Sequence, residues 1–464
     1  MNILAPVTDF LWSYVLVTLL VGVGVAASVM SRFAQFRFFL AMFASLRRGL
    51  HHQAGHLSAF QALIVSVAGR VGGGNIAGVA VAITLGGPGA VFWMWLIGLM
   101  GMATSLFECS LAQLFKRAQP DGTYRGGPAA YMRYGLQQPL MAGLFSLLLL
   151  LTFGFSFNAV QSYIVATSLQ ASFALPTWVT GSVLALLVGV TIFGGIRRIA
   201  RVAEVVVPVM ALGYILVALV VVLMHLNDVP AALATILRAA FGFEQAVSGG
   251  LAAVIMQGVK RGLFSNEAGL GSAPNVAAVA YVPHPVHQGM VQSLSVFIDT
   301  LVLCTCTAVI IILSDAHQPG TAGVNGVALT QAALAGHVGS WGEGFISVAL
   351  CLFAFSSIMY NYYLGENSLY DLSPDNNRLV TGFRVCVPAL VLWGSLQDLS
   401  TIFAFADLTM GLLGIVNLVA LIWLLPLGLR LLRDFDQQRR KQAVPRLDTR
   451  TWSDLDIDAA AWRD

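Results

Sequence analysis

Two asparagines, each five residues after an arginine and each set among glycines, are the positions in this chain best suited to hold a small charged ligand. The first group is Gly69-Arg70-Val71-Gly72-Gly73-Gly74-Asn75; the second runs Arg261-Gly262-Leu263-Phe264-Ser265-Asn266. Glycine runs deprive a helix of side-chain contacts and backbone stiffness, so amides and carbonyls there lose their helical partners. Amides at the start of a half-helix attract an anion, because the helix dipole places roughly half a positive charge there. Carbonyls at the end of the preceding half-helix suit a small hard cation. Gly72, Gly73, Gly74 and Asn75 would then hold a carboxylate, and the carbonyls of Ala68 and Val71 a sodium ion. The alternative for Asn75 is a cap bonded to its own backbone.

Further donors lie elsewhere. Ser356 and Ser357 are adjacent hydroxyls in the apolar run LCLFAFSSIMYNYYLGE. They are reasonable ligands for a hard cation, or else back-bond to the preceding turn. Asn158 and Gln161, three apart, share a helix face and could reach an ammonium or a carboxylate, or merely pack between helices. Glu108 and Asp299 are acids inside apolar segments, where they could pair with Arg70 or Arg261 or carry a proton. His51, His52 and His56 lie in a basic loop without a fourth metal ligand and read as a solvated face. The five cysteines form no CxxC and read as buried thiols.

What must position these groups is a membrane bundle. The chain has 464 residues, of which 57% are hydrophobic and only 10% charged, with a mean hydropathy of +0.79. Repeated apolar runs give an all-α integral membrane protein of about eleven spans. They fall near 10–30, 58–86, 88–115, 139–172, 176–194, 201–224, 243–279, 286–313, 338–365, 379–395 and 401–431. The span at 58–86 and the one at 243–279 hold the glycine groups and are read as discontinuous helices. Irregular backbone at membrane depth is tolerated only where it faces a protein-lined cavity, and an arginine there costs about 2.5–3.5 kcal/mol unless paired or hydrated. A glycine-rich packing seam is the competing explanation.

Asn75 to Glu108 and Asn266 to Asp299 are both separations of 33 residues. With four spans between them, the two broken segments run in opposite directions, the sign of an inverted repeat. The organisation expected is an extra helix and loop (1–57), a first five-helix repeat (58–228), a second (229–433) and a polar tail (434–464), read as a frayed helix. Ser314 to Val338 reads as an external loop, and Asp121 to Tyr134 as a connector or gate. Lys and Arg cluster at 31–57, 116–133, 197–201 and beyond Arg430, which puts the N-terminus outside and the C-terminus in the cytoplasm. There is no GxxxxGK[ST] phosphate loop, HExxH or GxSxG, so a nucleotide-driven pump or a membrane hydrolase lacks its signature. Nothing suggests nucleic acid as a partner.

Several longer blocks carry a resemblance. NIAGVAVAITLGGPGAVFWMW (75–95), GMATSLFECSLAQLFK (101–116), DGTYRGGPAAYM (121–132), FNAVQ (157–161) and GLFSNEAGLGSAPN (262–275) closely resemble the alanine-or-glycine:cation symporter family, within the amino acid–polyamine–cation superfamily. The resemblance implies a leucine-transporter-type fold, five plus five helices behind one extra span. It also implies sodium-coupled import of a small neutral amino acid across a bacterial inner membrane, with no cofactor besides the coupling ion. Carried over by motif, Gly72 to Asn75 and Phe264, Ser265 and Asn266 would contact the amino acid, and Gln161 and Tyr360 would complete its pocket. At the level of the fold, Ala68, Val71, Phe353, Ser356 and Ser357 would hold the sodium. The family usually has Thr or Ser where this chain has Gly73, which removes a hydroxyl beside the site. A proton-coupled or glutamine-preferring carrier, and a non-transporting amino-acid sensor, are the alternatives.

Overall fold

A computed structural model describes residues 8, 10–48, 57–120, 122–242, 250–314, 316, 326–374, 376–397, 399–441 and 444–462, with backbone alone at 48 and 399–404. The histidines at 51, 52 and 56, Asp121 and the start of the second broken span lie outside the described residues.

The chain is almost entirely helical. Among the described residues, seven helices are long and apolar enough to cross a bilayer: α1 (Leu11–Met30), α5 (Ala90–Leu114), α6 (Pro139–Phe173), α8 (Gly195–Met224), α12 (Pro285–Ile312), α14 (Trp341–Leu372) and the span within α16 (Leu399–Arg440). An eighth span is a bent pair, α3 (Ala59–Arg70) and α4 (Gly74–Gly86), with 51° between the halves. The other three expected spans are shorter or less apolar. They are α7 (Thr177–Ile192), α15 (Asn377–Gly394) and the broken pair α10 (Gly250–Asn266) and α11 (Ala273–Ala277). Sixteen residues in α7 rise about 24 Å, less than the roughly 30 Å of hydrocarbon. Two further helices, α2 (Phe39–Arg48) and α9 (Val229–Ala240), connect spans. The expected external loop at 314–338 is corrected in its second half, where Val327–Val338 forms helix α13.

The sequence punctuates these elements legibly. Ser58 starts α3 with a reciprocal cap: its hydroxyl accepts from the Gln61 amide (3.1 Å), and the Gln61 side chain accepts from the Ser58 amide (3.0 Å). α5, which carries Glu108, packs against α12, which carries Asp299, and against α10; α14 packs against α6 and α3. Widened π-type turns at Gly74–Gly78, Leu150–Phe157 and Phe297–Leu303 lie next to Asn75, Gln161 and Asp299, the kind of local irregularity that often accompanies function.

The basic end of the bundle carries a short antiparallel hairpin, β1 (Arg117–Ala118) and β2 (Tyr124–Arg125). The tail does not fray. α16 continues to Arg440, and residues 444–462 then fold back over the hairpin. Trp452 and Ala461 are buried; the Leu447 amide donates to the Pro283 carbonyl (2.9 Å) and the Ala118 amide to Asp458 (2.9 Å). Arg117 pairs with Asp456 at 2.9 Å, and Arg430 with Asp454 at 2.6 Å. The Lys116 ammonium lies between the rings of Tyr124 (4.3 Å) and Trp462 (4.2 Å).

Candidate functional site

The two breaks meet at the centre of the bundle. In the first, α3 ends at Arg70, Val71 leaves helical geometry (φ −79°, ψ 89°), and the helix resumes at Gly74. Close approach explains the glycines. A Cβ on Gly72 would lie 2.7 Å from Ser357 Oγ and 2.8 Å from Gln161 Nε2; one on Gly73 would meet Ile164 Cδ1 at 2.6 Å; one on Gly74 would meet the Phe264 ring at 3.0 Å. The freed amides already have partners: Gly72 N–H donates to Asn75 Oδ1 (3.1 Å), and Gly73 N–H to Gln161 Oε1 (3.3 Å).

The second break begins at Glu267, just past the Phe264–Asn266 stretch where the sequence suggested it. α10 runs through Phe264, Ser265 and Asn266, and unwinding starts at Glu267, whose φ of +54° is unusual for a side chain with a Cβ. Gly269 and Gly271, both at positive φ, complete the turn into α11. Asn266 Oδ1 accepts from the Ala268 amide (3.0 Å), while its Nδ2 is buried without a partner among the described residues.

Each break is closed by an acid from the other half of the chain. Asp299 accepts from Asn75 Nδ2 (2.6 Å) and from Ser265 Oγ (2.6 Å), binding the first break to α10. Glu108 accepts from the Gly269 amide (3.2 Å) and from Asn417 (3.1 Å), which itself donates to the Gly269 carbonyl (2.9 Å). The expectation that Arg70 or Arg261 would pair with these acids is corrected. Arg70 donates to the Gln292 carbonyl (3.1 Å), Ser105 (3.1 Å) and Ser295. Arg261 lies near Asp407, which is ion-paired with Lys260 at 3.2 Å. Arg70's charge still acts on Glu108, Glu267 and Asp299 together.

Glu267 is the residue that sequence reasoning missed. It is buried inside the break and accepts from Ser272 Oγ (2.5 Å) and Tyr360 OH (3.3 Å). An acid within a glycine-rich break, SNEAGLG, was the available signal. Tyr360 also packs so close to Gly69 that no Cβ would fit there. With Phe153, Phe157 and Phe264 it forms an aromatic wall: the Phe157 and Phe264 rings stack at 5.3 Å, and Phe153 meets Tyr360 edge-on at 6.3 Å. Asn158 Nδ2 donates to the Gly154 carbonyl one turn back (2.8 Å), while its Oδ1 is buried without a partner among the described residues.

Next to Gly72 is a cluster of oxygens. Ser357 Oγ donates among the carbonyls of Ala68 (3.0 Å), Gly69 (3.3 Å) and Phe353 (2.9 Å), and Ser356 Oγ among those of Ala68 (3.3 Å) and Phe353 (2.8 Å). None of these bonds reaches Val71, whose amide closes α3 by donating to Val67 (2.8 Å). Five oxygens of neutral groups in a buried space are donors of the kind a hard cation takes; rotating the two hydroxyl protons aside would free their lone pairs without moving heavy atoms.

The chain is matched along residues 1–449 by the model of the "Sodium:alanine symporter family". It is similar to the "Probable sodium/glutamine symporter GlnT" of Bacillus subtilis, 44% identical over 96% of this chain and 92% of that one. It is also similar to the "Sodium/alanine symporter AgcS" of Methanococcus maripaludis, 33% identical over 95% and 98% respectively. Among solved structures, the crystal structure of MhsT in complex with L-phenylalanine superposes with a TM-score of 0.55 at 13% identity, covering 83% of this chain and 90% of that one. At that identity the likeness speaks for the fold alone: five-plus-five, leucine-transporter type.

Proposed function

The chain belongs to the sodium:alanine symporter family, and from that premise we propose that it imports a small neutral amino acid, alanine or glycine, together with sodium, by alternating access. The observation that carries the reading is the position of Gly72, where a single added Cβ would stand 2.7 Å from Ser357 Oγ of the oxygen cluster and 2.8 Å from Gln161 Nε2. An ion in the cluster would fix the backbone against which the amino acid binds.

In this reading the carboxylate of the substrate takes over the amides of Gly72 and Gly73 from Asn75 and Gln161. Sodium sits among Ala68, Phe353, Ser356 and Ser357. Asn75 acts at one remove, since its oxygen and its nitrogen both have intramolecular partners; Asn266 Nδ2 is the free donor. The side-chain pocket is bounded by Phe264, Tyr360 and Ile164. The Ile164 methyl occupies the space where a Ser or Thr at position 73 would project, which suits a short apolar side chain better than glutamine. Electrostatics support a cation as well. Arg70 faces three buried acids, and isolated charges in a low-dielectric interior are costly, so positive charge supplied by sodium and the substrate ammonium stabilises the occupied state. One sodium entering down 100 mV supplies about 2.3 kcal/mol from the electrical term, more than a tenfold gradient of a neutral solute requires.

The membrane we propose is the bacterial plasma membrane, with the hairpin and tail at the cytoplasmic face. Purified protein in liposomes should accumulate labelled alanine only under an inward sodium gradient, with glycine a strong competitor and glutamine a weak one. Equal uptake in potassium would reject sodium coupling. The three buried acids also favour one second reading, coupling to protons, which predicts uptake driven by a pH gradient in sodium-free buffer.

A further inference from the structure

A second polar cavity lies at the foot of the second break. It has a volume of about 240 Å³ and is lined by Arg117, Arg125, Arg133, Asn367, Tyr370 and Asp371, among others. A single water needs about 10–15 Å³ measured this way, so the space admits a small solute. Two of its arginines are already neutralised: Arg133 grips Asp371 with both nitrogens, one bond at 3.1 Å, and Arg117 is paired with Asp456. Arg125 has no carboxylate within ion-pair distance among the described residues. Its guanidinium lies over the Tyr370 ring, with Cζ 3.4 Å from the centroid, and its Nη1 is buried without a hydrogen bond among the described residues. A guanidinium held over a ring by cation–π attraction, with Nη1 unpartnered, has a charged donor left to receive a carboxylate.

The wall of this cavity is joined to the central site. Asn367 donates to the Gly126 carbonyl (3.1 Å) and to Asn275 Oδ1 (2.8 Å). Asn275 in turn holds the carbonyls of Gly271 (2.8 Å) and Ser272 (3.1 Å), and Ser272 holds Glu267. Along α14, Tyr360, Tyr363, Asn367 and Tyr370 follow at helical spacing on one face, from the central pocket to Arg125. The Tyr363 hydroxyl between them is buried and unpartnered.

We propose that this cavity is an exit subsite, in which Arg125 takes the carboxylate of the transported amino acid after it leaves the central pocket and before it is released. The inference rests on the transport reading above and adds to it a second binding station on one side of the membrane. It predicts an asymmetry that a central-site defect cannot produce.

The experiment uses the full-length protein in liposomes of known orientation, with labelled alanine exchange started from either face. Arg125→Gln should raise the half-saturation for alanine on the hairpin side by about tenfold, the usual worth of one charge-assisted contact, and leave the opposite side within about twofold. Tyr370→Leu, which keeps the charge but removes the ring that pins it, should shift the same side by less and serves if Arg125→Gln fails to fold. Equal shifts on both faces, or none, would overturn the subsite. Competition by inorganic phosphate on the hairpin side that is lost in Arg125→Gln, without any shift for alanine, would also overturn it, by assigning the cavity to another anion. If the wild-type chain exchanges no alanine from either face, it is the transport reading that fails.

Discussion

Replacing Gly72 by alanine tests the coupling between ion and substrate most directly. The added methyl carbon would stand 2.7 Å from Ser357 Oγ and 2.8 Å from Gln161 Nε2, well inside van der Waals contact. Both neighbours must yield. Ser357 would turn from the Ala68 carbonyl, and Gln161 would draw away from the Gly73 amide. Overpacking of a well-filled interior typically costs about 1–3 kcal/mol, which corresponds to roughly 5- to 150-fold in an equilibrium constant. Because the strain falls on both sites, Gly72→Ala should raise the half-saturation for sodium and for alanine together, each by at least about fivefold. The assay is initial-rate uptake of labelled alanine into liposomes over a grid of sodium and alanine concentrations, with thermal melting in detergent to establish folding. A variant that loses alanine affinity while keeping its sodium dependence intact, or the reverse, would refute the claim that Gly72 joins the two sites.

Other outcomes follow from neighbouring contacts. Gly73→Ser should weaken uptake only modestly, because the clash is with the flexible end of Ile164, and Ile164→Val should restore it in the double variant, read as a double-mutant cycle of uptake rates. Ser356→Ala and Ser357→Ala should each raise the half-saturation for sodium about tenfold or more, with alanine binding at saturating sodium little changed; unchanged sodium affinity in both would remove the ion from this cluster. Asn75→Ala leaves Asp299 and the Gly72 amide short of partners, so a loss of about 1–3 kcal/mol in stability is expected, visible as a lower melting midpoint. Burial pushes the Lys116 ammonium down from 10.5 to about 7. The unfolded chain therefore binds one more proton than the folded chain between those values, and stability should rise with pH across that window. Lys116→Met should flatten the rise in denaturant titrations.

Much of the architecture was legible because membranes leave few options. Apolar runs must be helices, and the glycines around Arg70 favoured an interruption over a packing seam. The pair Ser356 and Ser357, and Gln161, stood out as polar groups in apolar surroundings, and the structure brings them together around Gly72. What stayed hidden depended on conformation or on distant parts of the chain. The second interruption was placed at Phe264–Asn266 because glycine and asparagine suggested it, but Asn266 still closes the helix and Glu267 takes the left-handed turn. No local pattern tells that Asp299 will meet Asn75, since their approach is set by packing of α12 on α5. The tail was misread because its few apolar residues, among them Leu447, Trp452 and Ala461, have no helical period; they are buried by two short 3-10 turns, Thr449–Trp452 and Ala459–Trp462.

The exchange of acids between halves has a consequence for how such a chain could arise and be divided. Neither five-helix half carries the carboxylate that closes its own interruption, so a lone half would leave freed backbone at membrane depth without its counter-group. Two copies related by a two-fold axis would supply each other. The present chain, cut in the connection between α8 and α10 and expressed as two pieces, should reassemble only when both are made together.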